Sequence, residues 1–194
     1  MNEFIQSVDL NKAYRLITHG PTVLVSARHE QTTDVMAAAW ACALEFQPAK
    51  VTVVLDKACK TRELIEASGY FALQVPTQAQ LELVHHLGTQ SLHTHPDKLK
   101  QSQLELFQFP AANIPVVAGC SAWLLCKLIP EAHVQQQHDL FIAEVIAAYA
   151  DERIFNQGHW QFEHMPAAWR SLHHVAGGHF YCIGEAISVD PATK

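Results

Sequence analysis

Two short stretches hold the residues best suited to chemistry. In Lys57-Ala58-Cys59-Lys60-Thr61, two ammonium groups and a hydroxyl precede a helical spacing of Leu64 and Ile65 that ends at Gly69. The unpaired N–H groups that open such a helix, with Thr61 as cap and Lys57 and Lys60 beside them, suit an anion of the phosphate kind. The same residues also suit a capped surface helix with two solvated lysines. In Thr32-Thr33-Asp34-Val35-Met36-Ala37-Ala38-Ala39-Trp40, turn-favouring polar residues lead into a small-residue run closed by an aromatic. With so little side chain, main-chain N–H and C=O groups can meet the edge of a planar heterocycle. A tightly packed strand is the competing reading.

The elements that must position these stretches follow from periodicity. Residues 9–17 place Leu10, Ala13, Tyr14 and Ile17 at helical spacing behind Asp9 as cap, and His19-Gly20-Pro21 stops them. Residues 22–27 have the β-branched content of a strand, 28–34 read as a polar connection, and 36–46 as a second strand. Pro48 breaks that strand before a third, apolar one at 50–56. Consecutive strands then bring the loop before the second and the turn after the third to one end of the sheet. A helix over 62–68, ended by Gly69 in the left-handed conformation, leads to a fourth strand at 70–76. Leu81, Val84 and Leu87 mark a helix within 77–88, and the stretch to 109 is irregular. Strands at 121–129 and 139–149 are joined by a hydrophilic hairpin at 130–138, and Gly177-Gly178 bends the chain before an aromatic strand. Six or more turn-separated strands, with helices inserted rather than alternating, predict a mainly β fold, an antiparallel barrel with Greek-key connections. No Gly-x-Gly-x-x-Gly joins strand to helix, which disfavours a parallel dinucleotide-binding sheet.

The chain has 194 residues, 49% hydrophobic and 16% charged, enough to bury one core without disulfides. A single domain over 1–194 is expected, with the barrel spanning about 20–185 and the N-terminal helix and C-terminal tail peripheral. No apolar run approaches the roughly 18 residues of a membrane span. Met1-Asn2-Glu3-Phe4-Ile5 carries an acid where a secretory signal is basic, which predicts the cytoplasm. A net charge of -6 with no basic run argues against nucleic acid and membrane surfaces. The five cysteines are scattered, without a Cys-x-x-Cys pair, and are expected to be reduced. The thirteen histidines are dispersed, away from cysteines and without a His-Glu-x-x-His pattern, so no metal site is expected.

In their order and spacing the motifs resemble the flavin reductase-like family, the FMN-binding split-barrel proteins that include flavoredoxin and the small reductase components of two-component monooxygenases. The resemblance runs over about residues 14–183. Asp34-Val35-Met36-Ala37-Ala38-Ala39-Trp40 stands where the family tends to have Asn-x-Met-Thr-Ala-Ser-Trp, and Pro48 precedes an apolar strand. Lys60-Thr61-x-x-Leu64-Ile65-x-x-Ser68-Gly69-x-Phe71 matches closely, and Gly177-Gly178-His179-Phe180-Tyr181 echoes a terminal Gly-Gly-x-x-Tyr. The resemblance implies a split barrel that binds FMN, with the ring and ribityl chain along Asp34, Val35, Met36, Ala37, Ala39 and Trp40. It puts the phosphate near Lys60 and Thr61, with Lys57 close by. Ala37 and Ala39 replace residues that usually offer hydroxyls, and Asp34 replaces a neutral amide. An ionised Asp34 would repel a phosphate, whereas facing the pyrimidine N3–H it could accept a hydrogen bond. His179 is a candidate contact to nicotinamide or flavin, or else a histidine satisfied by its neighbours. Spacing does not distinguish Arg28, His29, Ser91, His93 and Lys98 from exposed polar residues.

No acid–base pair, nucleophile elbow or telling His–Cys spacing is visible. A flavin that itself carries the redox step asks for none, and no catalytic side chain is expected. The resemblance implies an NAD(P)H:flavin reductase in which hydride passes from NADH or NADPH to flavin N5, with a monooxygenase or another electron acceptor as partner. The alternatives are a non-enzymatic flavoredoxin-type electron carrier and a split barrel that has lost FMN and binds another ligand, haem included. It also implies a homodimer with FMN at the subunit interface. The aromatic residues 160–169 are a candidate interface element, or a flap packed on its own barrel.

Overall fold

Asp9 starts the first turn of helix as expected, its carboxylate accepting the Asn11 N–H of a 3-10 helix, Leu10–Leu16. In the computed structural model, which describes residues 3–189, this helix follows a strand, β1 (Ile5–Val8). The hairpin of β2 (Val23–His29) and β3 (Thr32–Ala38) turns at Glu30-Gln31, and that of β4 (Ala41–Phe46) and β5 (Ala49–Val54) at Gln47-Pro48. Helix α1 (Lys60–Ser68) ends at Gly69, whose φ of 75° is the left-handed position that favours glycine. Then come β6 (Tyr70–Val75), α2 (Leu81–Thr89), α3 (Lys98–Ser102) and the short pair β7 (Leu106–Phe107) and β8 (Val116–Val117). The long strands β9 (Ala122–Ile129) and β10 (Leu140–Asp151) flank α4 (Ala132–His138). Two small hairpins finish the chain, β11 (Phe155–Asn156) with β12 (His159–Trp160) and β13 (Leu172–Ala176) with β14 (His179–Cys182).

Among the described residues the main sheet has eight strands in the order β3-β2-β6-β9-β10-β5-β4, with β1 added to β10. Every pairing is antiparallel. β3 and β4 stand at opposite ends of this order, yet only Ala39 and Trp40 separate them, so the chain itself closes the sheet into a barrel. Alternate side chains such as Val25, Val51, Phe71, Leu73, Leu124 and Phe141 fill its interior. A second apolar cluster covers the outer face, where Trp123, Leu125, Val84 and Leu87 pack together with Phe109. Phe109 stacks on Tyr149 with ring centroids 3.8 Å apart.

The antiparallel barrel is as expected, but several elements differ. The polar connection at 28–34 shrinks to a two-residue turn, with Glu30 at φ 52°, and β3 already begins at Thr32. The strand expected over 36–46 is two strands bent at Ala39-Trp40, where the chain crosses from one end of the sheet order to the other. The hydrophilic hairpin at 130–138 contains α4, whose Gln135 carbonyl accepts a hydrogen bond from Arg62 at 3.0 Å. The N-terminus is part of the sheet. β5 pairs with β10 only over Leu140 to Glu144, and β1 covers the edge left open over Ala148 to Asp151. Met1 and Asn2, which entered the targeting argument, and the end of the tail, 190–194, lie outside the described residues. No helix among the described residues is long and apolar enough to cross a membrane.

The aromatic segment after β11 packs on its own barrel. Trp160 stacks on Phe162 at 4.7 Å and donates its indole N–H to the Arg15 carbonyl at 2.9 Å. His19 lies in this packing, its ring 5.3 Å from Trp160, 5.6 Å from Phe162 and 5.8 Å from His173, with Nε2 3.1 Å from Ser171 Oγ. Burial, aided by the charge of His173, lowers the His19 pKa to about 4 from an ordinary 6.5. Between those values the unfolded chain binds a proton that the folded one refuses, so stability falls as pH drops through this window. The shift corresponds to a loss of about 3 kcal/mol by pH 4. Urea unfolding at pH 7 and pH 4 should show this loss in the wild type and a smaller one, by that amount, in His19→Gln.

Candidate functional site

The bend that closes the barrel and the turn that leads into α1 meet at one end of the molecule. The Trp40 carbonyl accepts the Val54 N–H at 2.9 Å, and Leu55 N–H donates to the Asp139 carbonyl at 2.9 Å. Asp56 shapes the turn, its carboxylate accepting Ala58 N–H at 2.8 Å and its carbonyl accepting Cys59 N–H at 3.0 Å. The chain enters α1 at Cys59 with no side-chain cap, so the N–H groups of the first turn are not taken by a side chain. Lys57 and Lys60 stand beside them. Lys60 Nζ lies 2.7 Å from Glu63 and holds that carboxyl below its ordinary range, while Glu63 also reaches His93 Nε2 at 3.0 Å. Lys57 donates to the Gln136 carbonyl at 2.8 Å and lies 3.9 Å from Asp139. Each ammonium carries three donors, which leaves capacity for an anion.

Thr61 is not the cap. It is the second residue of α1, fully buried, and its hydroxyl donates to Asp34 Oδ2 at 2.7 Å. The other Asp34 oxygen accepts from Lys98 Nζ at 3.0 Å, with the Asp34 side chain 2% exposed and that of Lys98 1%. Asp34 therefore offers nothing to the pyrimidine edge of a flavin, and Lys98 is not an exposed polar residue. Alternation along β3 explains the placement: Met36 and Ala38 join the barrel core, and Asp34 lies on the same side at the barrel's end. Cys59 lies close by; burial, then Asp56, pushes its thiol pKa up.

The opposite parity takes Val35 and Ala37 to the outer cluster. Ala37 is covered by α2 at Gly88, where an added Cβ would stand 3.3 Å from that of Ala37. The Val35 side chain thus packs against the protein, while Ala37 is half-buried and borders a small cleft. Ala39 and Trp40 are exposed. β3 is also the terminal strand of the sheet order, so the main-chain groups on its outer edge are not used by a neighbouring strand. Of the residues predicted from sequence, the fold brings Asp34 and Thr61 into contact beside Lys60, and sets Trp40 against Val54 at the end of the strand that leads through Lys57 to α1, with Ala39 at the bend.

His179 does not face the alanines. Phe180 and His174 border a cleft of about 70 Å³ with Ala37, Ala38 and Ala39, while His179 is exposed and packs edge-on against Tyr181 at 5.1 Å. Two residues had no role assigned from the sequence. One is Lys98. The other is Arg62, which donates to the carbonyls of Leu55 and Gln135, each at 3.0 Å, and to the carboxylates of Glu66 and Asp139, and whose guanidinium lies 5.1 Å from the centre of the Phe141 ring. The i,i+4 spacing of Arg62 and Glu66 was a visible signal for part of this network. The partner of Lys98 lies 64 residues away and had none.

Comparison with known proteins places this geometry in context. Residues 14–170 match the family described as flavin reductase like domain. The YddH protein of Escherichia coli (strain K12) is 36% identical over 191 residues, 97% of this chain and 99% of that one. A crystal structure from Shewanella baltica OS155, described as an FMN-binding domain of a flavin reductases-like enzyme, is 60% identical, with a TM-score of 0.94 over 96% of this chain and 97% of the other. Flavoredoxin of Desulfovibrio vulgaris (Miyazaki F) shares the fold at 23% identity, with a TM-score of 0.75 over 90% and 92% of the two chains.

The Asp34–Lys98 contact has a measurable signature. Lys98→Met leaves a buried carboxylate without its cation and should cost about 3–5 kcal/mol of stability, whereas Asp34→Asn with Lys98→Met should recover most of it. A double-mutant cycle by urea unfolding measures the coupling; a double variant no more stable than Lys98→Met would refute the pairing as its source.

Proposed function

The chain belongs to the flavin reductase-like family, and from that premise we propose that it is an FMN-binding oxidoreductase reducing flavin with NADH or NADPH. The observation that carries this reading is the uncapped first turn of α1, which contains Lys60, follows Lys57 and is tied to β3 by the Thr61–Asp34 hydrogen bond. Its donor set fits the phosphate of FMN: main-chain N–H groups at a helix start and two ammonium groups. When bound, FMN supplies the chemistry, taking hydride at N5 from the nicotinamide C4. The protein's own work is to bind and orient. The first turn of α1 and the two lysines would hold the phosphate, and the free edge of β3 would offer main-chain groups to the ring. Ala39 lets a planar group approach the backbone closely, and Trp40 supplies apolar surface beside it. No side chain needs to move a proton.

A second copy of the chain is the proposed partner. Trp40, Leu44 and Phe46 are 74%, 52% and 60% exposed on and beside the edge strand β4, an apolar rim that pairing of two protomers would cover. This seam replaces residues 160–169 as the interface candidate. In sedimentation velocity the wild type should run as a dimer and Leu44→Glu as a monomer; a wild-type monomer, or a variant that stays dimeric, sinks the seam.

The flavin reading is tested by titration and stopped-flow. The protein should bind FMN saturably, and its flavin absorbance should bleach when NADH or NADPH is added. Lys57→Ala with Lys60→Ala should weaken FMN by about tenfold more than riboflavin, which lacks the phosphate. Equal losses would put the phosphate elsewhere. Bound FMN that neither nicotinamide reduces would identify an electron carrier, and no FMN binding at all would overturn the reading.

A further inference from the structure

A cavity of about 460 Å³ opens at the end of β10 remote from the Lys57–Asp139 corner. Leu140, at the start of β10, pairs with Val54, and Asp151, at its end, pairs with Ile5 beside the cavity. A strand of this length spans roughly 35 Å, so the cavity shares no wall with the proposed flavin site. Its volume falls in the range of about 300–1,000 Å³ typical of small-molecule pockets, and its walls have the same make-up: apolar surface with a few fixed polar groups.

Three aromatic side chains shape it. Trp123, 1% exposed, is the floor, and Phe107 and Trp169, half-buried, are walls. Trp123 is itself held in place by its indole N–H, which donates to the Val117 carbonyl at 3.0 Å, and by edge-on packing of Phe107 at 5.9 Å. The polar groups are equally fixed. The Arg153 guanidinium lies 4.2 Å from the ring of Phe4 and 4.5 Å from that of Trp169, and its Nε and Nη2 donate to Asp151 at 2.9 and 2.6 Å. Asp151 cancels its charge, while the Nη1 N–H groups have no protein acceptor among the described residues and can donate to a ligand. Glu105 lines the same cavity, exposed, and can accept.

We propose that this cavity is a second binding site, for a small, neutral, planar aromatic compound bearing one group that both donates and accepts hydrogen bonds, of the carboxamide kind. Planarity is asked for by the aromatic walls, which reward a flat ring by stacking and edge contacts. Neutrality follows from the charges. Asp151 balances Arg153, and the carboxylates of Glu105, on the lining, and Glu3, whose charge also acts on Arg153, would repel an aromatic acid. A cation would leave the Nη1 donors without an acceptor. An amide satisfies both Arg153 and Glu105.

Benzamide, benzoate, benzamidine and cyclohexanecarboxamide separate these requirements, because the first three share a shape and differ in charge, and the last keeps the amide but loses the flat ring. Isothermal titration of the FMN-loaded protein should give one saturable benzamide site, with the other three about tenfold or more weaker. Ala79→Trp and Ala168→Trp, both at exposed positions on the cavity lining, should each cut benzamide affinity by about tenfold, while Ala167→Trp, exposed but outside the lining, should leave it unchanged. Benzamidine or benzoate binding as tightly as benzamide would overturn the neutral class, and equal binding of the cyclohexane amide the aromatic one. No saturable benzamide binding, or binding that both Ala79→Trp and Ala168→Trp leave untouched, would overturn the site. Each outcome is read apart from flavin reduction.

Discussion

The buried pair of Asp34 and Lys98 decides how the two halves of the candidate site are held together. Taking two charges out of water costs several kcal/mol for each, and the cost is tolerable only when geometry and hydrogen bonds are good. Here both carboxylate oxygens are satisfied, one by Lys98 at 3.0 Å and one by Thr61 at 2.7 Å. The contact ties β3, the first turn of α1 and the start of α3 into one unit. A neutral amide at position 34 would need no cation beneath it, whereas an acid does, so in this chain the burial of Asp34 and that of Lys98 require each other. The carboxylate that would oppose an anion at the start of α1 is thereby matched before any anion arrives.

Barrel closure sets the second constraint. Between β3 and β4 the sheet is closed by two residues of chain, Ala39 and Trp40, and the terminal edge of β3 keeps main-chain groups that a neighbouring strand would otherwise consume. Such an edge invites pairing with another chain unless something covers it. In this fold α2 packs over one face of β3 through Ala37 and Gly88, and Thr61 of α1 bonds Asp34 on the other. Arg62 pins α1 in turn, reaching Leu55, Gln135 and Asp139 from a single side chain. The helix start and the strand edge thus have little freedom to move relative to one another, a requirement for any site assembled from both.

The parts of the fold that alternation specifies were legible in the sequence. β6 and β9 lie within a residue of their predicted limits and β2 within two, because each has a run of apolar residues that two cores bury from opposite faces. Gly69 was legible because few residues other than glycine stop a helix with φ near 75°. The site was legible as two stretches and not as a network. Nothing local announces that Asp34 faces inward toward a lysine 64 residues on. The placement of His179 has a different origin: the register of β13 on β14 shifts between His174 and Ala176, and a bulge of that kind reassigns which residues face the barrel. α4 was missed because its sequence is polar and its anchor, the Arg62 guanidinium bonded to the Gln135 carbonyl, lies in another element.

Small residues in a strand have two physical causes that a sequence cannot tell apart, a ligand that comes close and a helix that comes close. At position 37 the structure shows a helix that comes close, Gly88 of α2, beside a small cleft that the half-buried alanine also borders. The close approach of α2 thus accounts for a small residue at 37 without a ligand, whereas no such neighbour covers the alanine at 39, exposed at the bend. Thr61 makes the complementary point. Its hydroxyl matches the family pattern, but the proton is spent on Asp34, so the match reports how α1 is fastened and not how a phosphate is recognised. What remains for an anion at this end of the barrel is main-chain N–H and lysine ammonium, a donor set that depends on where the helix starts more than on which side chains line its first turn.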